Sequence, residues 1–352
     1  MKRWLKGAVE VLVVGLLLIG MGVAGVSLIL NAPAYEGPES DHFDGVRFHN
    51  EPDDLRALGD LWRWMRSREL EPYPEHVEVT PAEPPAWTVE GDELRLYYVN
   101  HSTFLIQTAG VNILTDPIWS DRAAPVDFAG PKRVAAPGLA FGDLPPIDVV
   151  LVSHNHYDHL DLPTLKSLYQ RHEPTFVVPL GNTALLNKGG IGKSIDADWW
   201  EEVPLAEDLT VVCAPARHWS HRGLGDTNRS LWASFVIRAG DSTVVFVGDS
   251  GYTDAFAEIR ERYGPARLAL LPMGAYEPRW FMGAAHMDPA EALQAHVDLE
   301  ASLSVGHHFG TFQLADDGID QPVADLQAAL EETGLAPERF RTMAHGERLD
   351  VP

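Results

Sequence analysis

From Leu94 to the C-terminus, short apolar runs alternate with amphipathic stretches. Runs rich in β-branched residues read as strands. They are Leu94–Val99, Thr103–Gln107, Val111–Leu114, Val149–Val152, Thr175–Val178, Val211–Ala214, Leu231–Ile237, Thr243–Val247, Leu268–Leu271 and Leu303–Val305. Ala109-Gly110 marks a turn between two of them. Helical spacing appears in Leu162–Tyr169, Ala255–Tyr263, Pro289–Leu299 and Val323–Glu332. Asp288-Pro289-Ala290-Glu291 is a helix start, with Asp288 as cap, proline at the first position and Glu291 three beyond the cap. Two strand-rich halves predict two packed sheets with helices outside. The pattern alone leaves other α/β folds open.

The N-terminal part reads differently. Lys2, Arg3 and Lys6 precede Ala8–Leu30, whose only charge is Glu10. Such a run exceeds the ~20 residues that span a bilayer as a helix. The basic residues predict a cytoplasmic start and an extracytoplasmic, periplasmic catalytic part. Ala32-Pro33-Ala34 resembles a signal-peptidase site, so a cleaved signal peptide and a secreted protein is the competing expectation. The run is longer than the roughly 7–15 residues of a signal-peptide core, which favours an uncleaved single-pass anchor. Asn31–Asp44, rich in Pro, Gly and acidic residues, reads as a linker. Asp53–Glu69 carries Leu55, Leu58, Trp62 and Met65 on one helical face. It is either packed on the main domain or, with Trp62 and Trp64, a lid or lipid-facing element. Pro72–Pro85 reads as a boundary. The organisation is therefore anchor (1–30), linker and amphipathic helix (31–85), and catalytic domain (86–352).

Composition adds limits. An apolar content of 45% in 352 residues can fill a sizeable core. A formal charge of −24 argues against a nucleic-acid partner. A lone cysteine, Cys213, excludes an internal disulfide and reads as a small buried filler. The assembly state is open, a homodimer included.

The candidate chemistry lies in Ser153-His154-Asn155-His156-Tyr157-Asp158-His159, directly after an apolar strand. Three imidazoles and a carboxylate this close are ligands for zinc, or for iron or manganese. Two nearby ions need more ligands than one loop supplies. His218, Asp249 and His308 each follow a predicted strand downstream. Asn187–Ser194 ends like a phosphate-binding loop, but its first glycine position is Asn187 and a helical segment precedes it. It reads as a connecting loop.

The H-x-H-x-D-H spacing resembles the metallo-β-lactamase superfamily. Longer strings resemble its N-acyl-phosphatidylethanolamine phospholipase D family: ILTDPIW (113–119), GPKR (130–133), LPPIDVVLVSHNHYDHLD (144–161), DWWEE (198–202), GDSGY (248–252), GAYEPRWFM (274–282), HMDPAEA (286–292) and HFGTF (308–312). The resemblance runs from about Leu94 to Arg348 and implies an αββα sandwich. It implies His154, His156 and His218 on one zinc, Asp158, His159 and His308 on the other, and Asp249 bridging. His308 is chosen over His307 because it heads the HFGTF string, leaving His307 as packing. Asp116 would orient a ligand imidazole. A metal-bridging hydroxide would attack the phosphorus of a phosphodiester, with Asp158 and Asp249 holding the centre and His286 as acid or phosphate donor. Tyr276, Arg279 and Trp280 would shape a headgroup pocket. His101, His221, His296 and His345 read as structural. The implied reaction releases N-acylethanolamine and phosphatidic acid from a phospholipid at the membrane. The alternatives are a hydrolase of another phosphodiester or of a lactone, resembling ascorbate-6-phosphate lactonases, and a non-catalytic lipid-binding protein.

Overall fold

Along the apolar runs, side chains sort by parity. The computed structural model describes Gly25 and residues 30–50, 58–240 and 242–352. A helix, α1 (Leu58–Ser67), leads into strands β1 (Leu94–Asn100), β2 (Thr103–Thr108), β3 (Val111–Thr115) and β4 (Val149–Leu151). Helix α2 (Leu162–His172), β5 (Thr175–Pro179), α3 (Asn182–Lys188) and β6 (Ser194–Ala197) follow. The second half holds β7 (Glu202–Ala206), β8 (Leu209–Ala214), β9 (Ser234–Ala239), β10 (Ser242–Phe246), α4 (Ala255–Tyr263) and β11 (Leu268–Pro272). It continues through α5 (Arg279–Met282), α6 (Pro289–Asp298), β12 (Leu303–His307), α7 (Gln321–Thr333), β13 (Phe340–Arg341) and β14 (Arg348–Val351).

Two seven-stranded mixed sheets result, ordered β14-β1-β2-β3-β4-β5-β6 and β13-β12-β11-β10-β9-β8-β7. Leu94, Leu96 and Tyr98 of β1 share a core with Val211 and Cys213 of β8 and with Leu268 and Leu270 of β11. The alternate residues face outward under helices. Tyr97 and Val150 pack with Leu165 and Leu168 of α2. Val212, Val245 and Leu271 pack with Ile259 of α4, Leu293 of α6 and Leu326 of α7. Both faces of each sheet are thus covered, which is why the central strands read as unbroken apolar runs. Each such side chain contributes about 1.5–3 kcal/mol relative to exposure. The layers form the expected sandwich, and Cys213 is the buried filler expected.

The short strands escaped the sequence pattern. Pro204 sits in β7, an edge strand where a missing N–H is tolerated. Residues 194–197 hold Asp196, residues 348–351 alternate Arg348 and Asp350 with apolar residues, and both form edges of the first sheet. The predicted cap at Asp288 is present: Glu291 N donates to Asp288 Oδ1 at 2.9 Å, and Asp288 N donates to Glu291 Oε2 at 3.2 Å. The phosphate-loop look-alike is the end of α3 and a Gly-Gly turn.

The segment expected as a linker is docked. Phe43 and Phe48 are buried with Ala216, Leu231 and Trp232. Ala32 N donates to Asp226 Oδ2 at 2.7 Å and Tyr35 N to Arg229 O at 3.1 Å. Among the described residues no helix is long and apolar enough to cross a membrane. The run Ala8–Leu30, apart from Gly25 and Leu30, lies outside them, as do the first residues of the Asp53–Glu69 stretch.

His42 pins this strap. Its Nδ1 lies 2.6 Å from Asp41 and its Nε2 2.8 Å from Asp198, with the ring stacked on Trp199. Burial lowers its pKa, but Asp198 and Asp41 outweigh burial and hold it above the usual histidine value. The folded state therefore binds the proton more tightly than the unfolded chain. This contribution is complete below the unfolded value of about 6.5 and is lost as pH rises through the raised pKa. The denaturant midpoint of the native protein should fall as pH rises above about 6.5 through the raised pKa, and a parallel series on His42→Gln should be flatter.

Candidate metal centre

Every residue of the candidate site hangs from one rim of the sandwich. Strand β4 runs parallel to β3, and β10, β11 and β12 run parallel to one another. Asp116 follows β3, Ser153–His159 follow β4, His218 follows β8, Asp249 follows β10 and His308 follows β12. Carboxyl ends of parallel strands are where open α/β sheets place their sites. Two glycines let the rim close. A Cβ on Gly248 would lie 2.3 Å from Ser153 Cβ, and one on Gly274 would lie 2.0 Å from His308 O. His101, Asp116 and His308 all hold left-handed backbone (φ 47, 34 and 67). Such strain in non-glycine residues concentrates at functional sites.

Two facing groups emerge. In the first, His156 Nδ1 lies 2.8 Å from His154 Nε2 and 3.2 Å from His218 Nε2. Asp249 Oδ2 is 3.9 Å from His154 Nε2 and 3.7 Å from His218 Nε2. In the second, His159 Nε2 is 3.2 Å from both Asp158 Oδ2 and Asp249 Oδ2. His308 Nε2 is 3.4 Å from Asp158 Oδ2 and 3.1 Å from Asp249 Oδ1. The ligand-type atoms of each group lie within 4.8 Å of one another, and Asp249 faces both.

The outer nitrogens are tied down so that the inner ones point inward. His159 Nδ1 lies 2.7 Å from Asp116 Oδ2, His154 Nδ1 2.9 Å from Ser153 Oγ and His218 Nδ1 2.9 Å from Ala285 O. Asp116 in turn accepts from Ser153 N at 2.7 Å and Ser153 Oγ at 2.6 Å. Asp116 thus orients the imidazole of His159 and steadies that of His154, as the sequence suggested.

The electrostatics leave room for positive charge. Burial, then neighbouring imidazoles, holds His154 and His156 well below the ordinary histidine pKa, and burial holds His218 down to about 4. Neutral imidazoles with inward lone pairs are what cations require. In the second group burial is outweighed by carboxylates. Asp249, Asp158 and Asp116 hold His159 well above its ordinary value, and Asp249 and Asp158 hold His308 up to about 9. Protons there stand where a second cation would go. His159 Nε2, His308 Nε2 and Asp249 Oδ1 are buried and make no well-aligned hydrogen bond, although opposite charges stand 3.1–3.4 Å away. Buried polar atoms rarely go unsatisfied, and these clusters fit a dinuclear metal site.

Other expected residues divide. His286 Nδ1 lies 3.9 Å from Asp249 Oδ2, beside His218 and His308. Arg279 holds its segment, donating to His286 O at 2.8 Å and to Glu291 Oε2 at 2.7 Å. Trp280 is half-exposed under Arg63, 4.4 Å from ring centroid to guanidinium carbon. Tyr276 does not offer its hydroxyl to a headgroup: it is buried and donates to Asp325 Oδ2 at 2.5 Å. His307 packs as expected, its Nε2 2.9 Å from Val247 O. His221, His296 and His345 reach Thr227, Ser304 and Ala136.

His101 was missed. Expected as structural, it is fully buried with Nε2 3.0 Å from Asp158 Oδ2, inside the second group. A signal existed. β1 pairs antiparallel with β2, and β2 antiparallel with β3, so β1 points the same way as β3 and β4. A histidine directly after it must reach the same rim.

Two outcomes follow. Asp116→Asn should weaken metal affinity by about 10–100-fold, measured by competition with a chromophoric chelator, while a conserved circular dichroism spectrum shows the fold intact. Metal uptake near neutral pH should release protons from His159 and His308, so affinity falls as pH falls. Calorimetry in buffers of different ionisation enthalpy would read that release.

A family profile described as Beta-lactamase superfamily domain matches residues 111–309, more than half of the 352. An uncharacterized protein of Mycobacterium tuberculosis is 41% identical over 255 residues, 71% of this chain and 68% of that one. The N-acyl-phosphatidylethanolamine-hydrolyzing phospholipase D 1 of Caenorhabditis elegans is 39% identical over 227 residues, 62% of this chain and 64% of that one. Among solved structures, a metallo hydrolase from the archaeon Ignicoccus hospitalis shares the fold, with a TM-score of 0.56 at 24% identity over 74% of this chain and 99% of that one. The chain belongs to the β-lactamase superfamily, resembles its N-acyl-phosphatidylethanolamine-hydrolysing phospholipases D, and is a metal-dependent hydrolase.

Proposed function

We propose that the protein is a phosphodiesterase of phospholipase D type, using two zinc ions to convert N-acyl-phosphatidylethanolamine into N-acylethanolamine and phosphatidic acid. The observation that carries this reading is the pair of ligand groups sharing Asp249. The activity in the name of the Caenorhabditis elegans relative narrows the substrate. His154, His156 and His218 would hold one ion, Asp158, His159 and His308 the other, with Asp249 between. Bound ions would supply a water acidic near neutral pH and offset charge developing on the phosphoryl oxygens.

The chain's own groups do the rest. His101 donates to Asp158 and fixes its carboxylate within the second group. His286, whose Nδ1 lies 3.9 Å from Asp249 Oδ2, is placed to hand a proton to the leaving alkoxide. Arg279 aims that histidine through its backbone carbonyl. A lipid substrate also suits α1, where Trp64 stacks on Phe281 while Trp62 and Met65 stay exposed. We further read Ala8–Leu30 as an uncleaved anchor holding the domain outside the cytoplasm. Cleavage after Ala34 would remove Ala32, whose backbone N–H is buried on Asp226.

The test is turnover of N-acyl-phosphatidylethanolamine by metal-stripped and zinc-loaded protein, with products identified by mass spectrometry. Zinc-dependent release of N-acylethanolamine with phosphatidic acid is expected. His286→Ala should lower kcat by about 10²–10⁴-fold with both metals retained. Two bound metals without turnover would transfer the reading to another ester or phosphodiester.

A further inference from the structure

Between β8 and β9 the chain runs through residues 215–233 without a helix or strand of its own. A connection that long needs outside support if it is to hold a side chain still. This one carries His218 of the first ligand group and then Trp219, whose ring centroid lies 4.5 Å from that of His156. Its inner side is fixed to the rim. Arg217 N donates to Ser250 Oγ at 2.9 Å, and Gly251 N donates to Arg217 O at 2.9 Å. His221 N donates to Asn155 Oδ1 at 2.8 Å.

Its outer side rests on the strap that precedes the sandwich. Ala32 N donates to Asp226 Oδ2, Tyr35 N to Arg229 O, and Phe48 N to Asn228 O at 2.8 Å. Asn228, in left-handed backbone (φ 58), passes this support on: its N donates to Ser220 O at 2.9 Å, and its Oδ1 accepts from Ser220 N at 3.2 Å. Phe43 and Phe48 share a buried cluster with Ala216, two residues before His218, and with Trp232, whose Nε1 donates to Ala216 O at 2.9 Å. The strap also reaches the ligand itself: Asn50 Nδ2 donates to His218 O at 2.9 Å. His218 is thus held at three points. Ala285 O fixes its ring, Ser250 and Gly251 hold the residue before it, and the strap holds its carbonyl. The second group has separate supports: His159 on Asp116, Asp158 on His101, and His308 N on His101 O at 3.0 Å.

We propose that the strap is a working part of the metal centre: Asn50, carried on Phe43 and Phe48, positions His218 and so sets how tightly the first ligand group holds its ion. This rests on that group holding an ion, and it brings into the site a segment whose composition is that of a linker. Asn50 is a positioning residue. It fixes the peptide from which the imidazole hangs, and affinity depends on ligands held in place before the ion arrives.

The test uses full-length protein and Asn50→Leu, which keeps the volume of the side chain and removes the donor. In metal-stripped protein, amide hydrogen exchange at residues 218–221 should quicken about tenfold, while exchange around His159 and His308 stays unchanged. No change at 218–221, or an equal change at all three places, overturns the proposal. Zinc affinity is then read by competition with a chromophoric chelator in two backgrounds. In His308→Ala protein, which keeps the first group, Asn50→Leu should weaken binding about tenfold. In His218→Ala protein, which keeps the second group, it should leave binding unchanged. Equal weakening in both backgrounds marks the strap as general support for the fold and overturns the proposal, as does no weakening in the first. The exchange readout needs no metal, so failure of the proposal is told apart from failure of the metal reading, which zinc binding by the unsubstituted protein tests.

Discussion

Asp249 sits almost fully buried between two sets of imidazoles, and the geometry of the whole rim serves that placement. A carboxylate removed from water is costly unless positive charge surrounds it. Here burial raises its pKa, and the imidazoles of His159 and His308 more than reverse the effect. Those two rings are themselves held protonated by Asp249 and its neighbours. The first group offers no such compensation, since His154, His156 and His218 are all held neutral. With the neutral imidazoles of His154, His156 and His218 on one side of Asp249 and the protonated ones of His159 and His308 on the other, the rim is poised for cations, because metal binding replaces protons on one side and fills bare lone pairs on the other.

The sandwich supplies the rigidity this requires. Strand ends from both sheets converge, and Asp116 braces the histidine loop through Ser153 and His159. Left-handed backbone at Asp116, His101 and His308 is held by packing that a looser scaffold would not maintain. Arg279 extends the same logic outward: it holds His286 by the backbone and leaves the imidazole to the centre.

The legibility of this chain in its sequence follows physical locality. Central strands are plain because both faces are buried, so Val244–Val247 carries no polar interruption. The helix start at Asp288 is plain because capping is a matter of four consecutive residues. Phe43 and Phe48 were hidden in a segment of linker composition, since their partners Leu231 and Trp232 are nearly two hundred residues away. Histidines clustered in one loop declared themselves, whereas His101 stands alone in sequence and joins the site only through strand direction. Tyr276 belonged to a telling string of residues, yet its hydroxyl serves α7. A string shared with a family identifies a segment, and only geometry shows which of its side chains face the chemistry. Metal ligands likewise specify an activated water and leave open the bond it attacks.

Anomalous diffraction from crystals of zinc-loaded protein, recorded on both sides of the zinc edge, tests the central claim most directly. The account predicts two peaks about 3.5–4 Å apart, one among His154, His156 and His218, the other among Asp158, His159 and His308, with Asp249 reaching both. A single peak, or two that leave Asp249 uncoordinated, would contradict it.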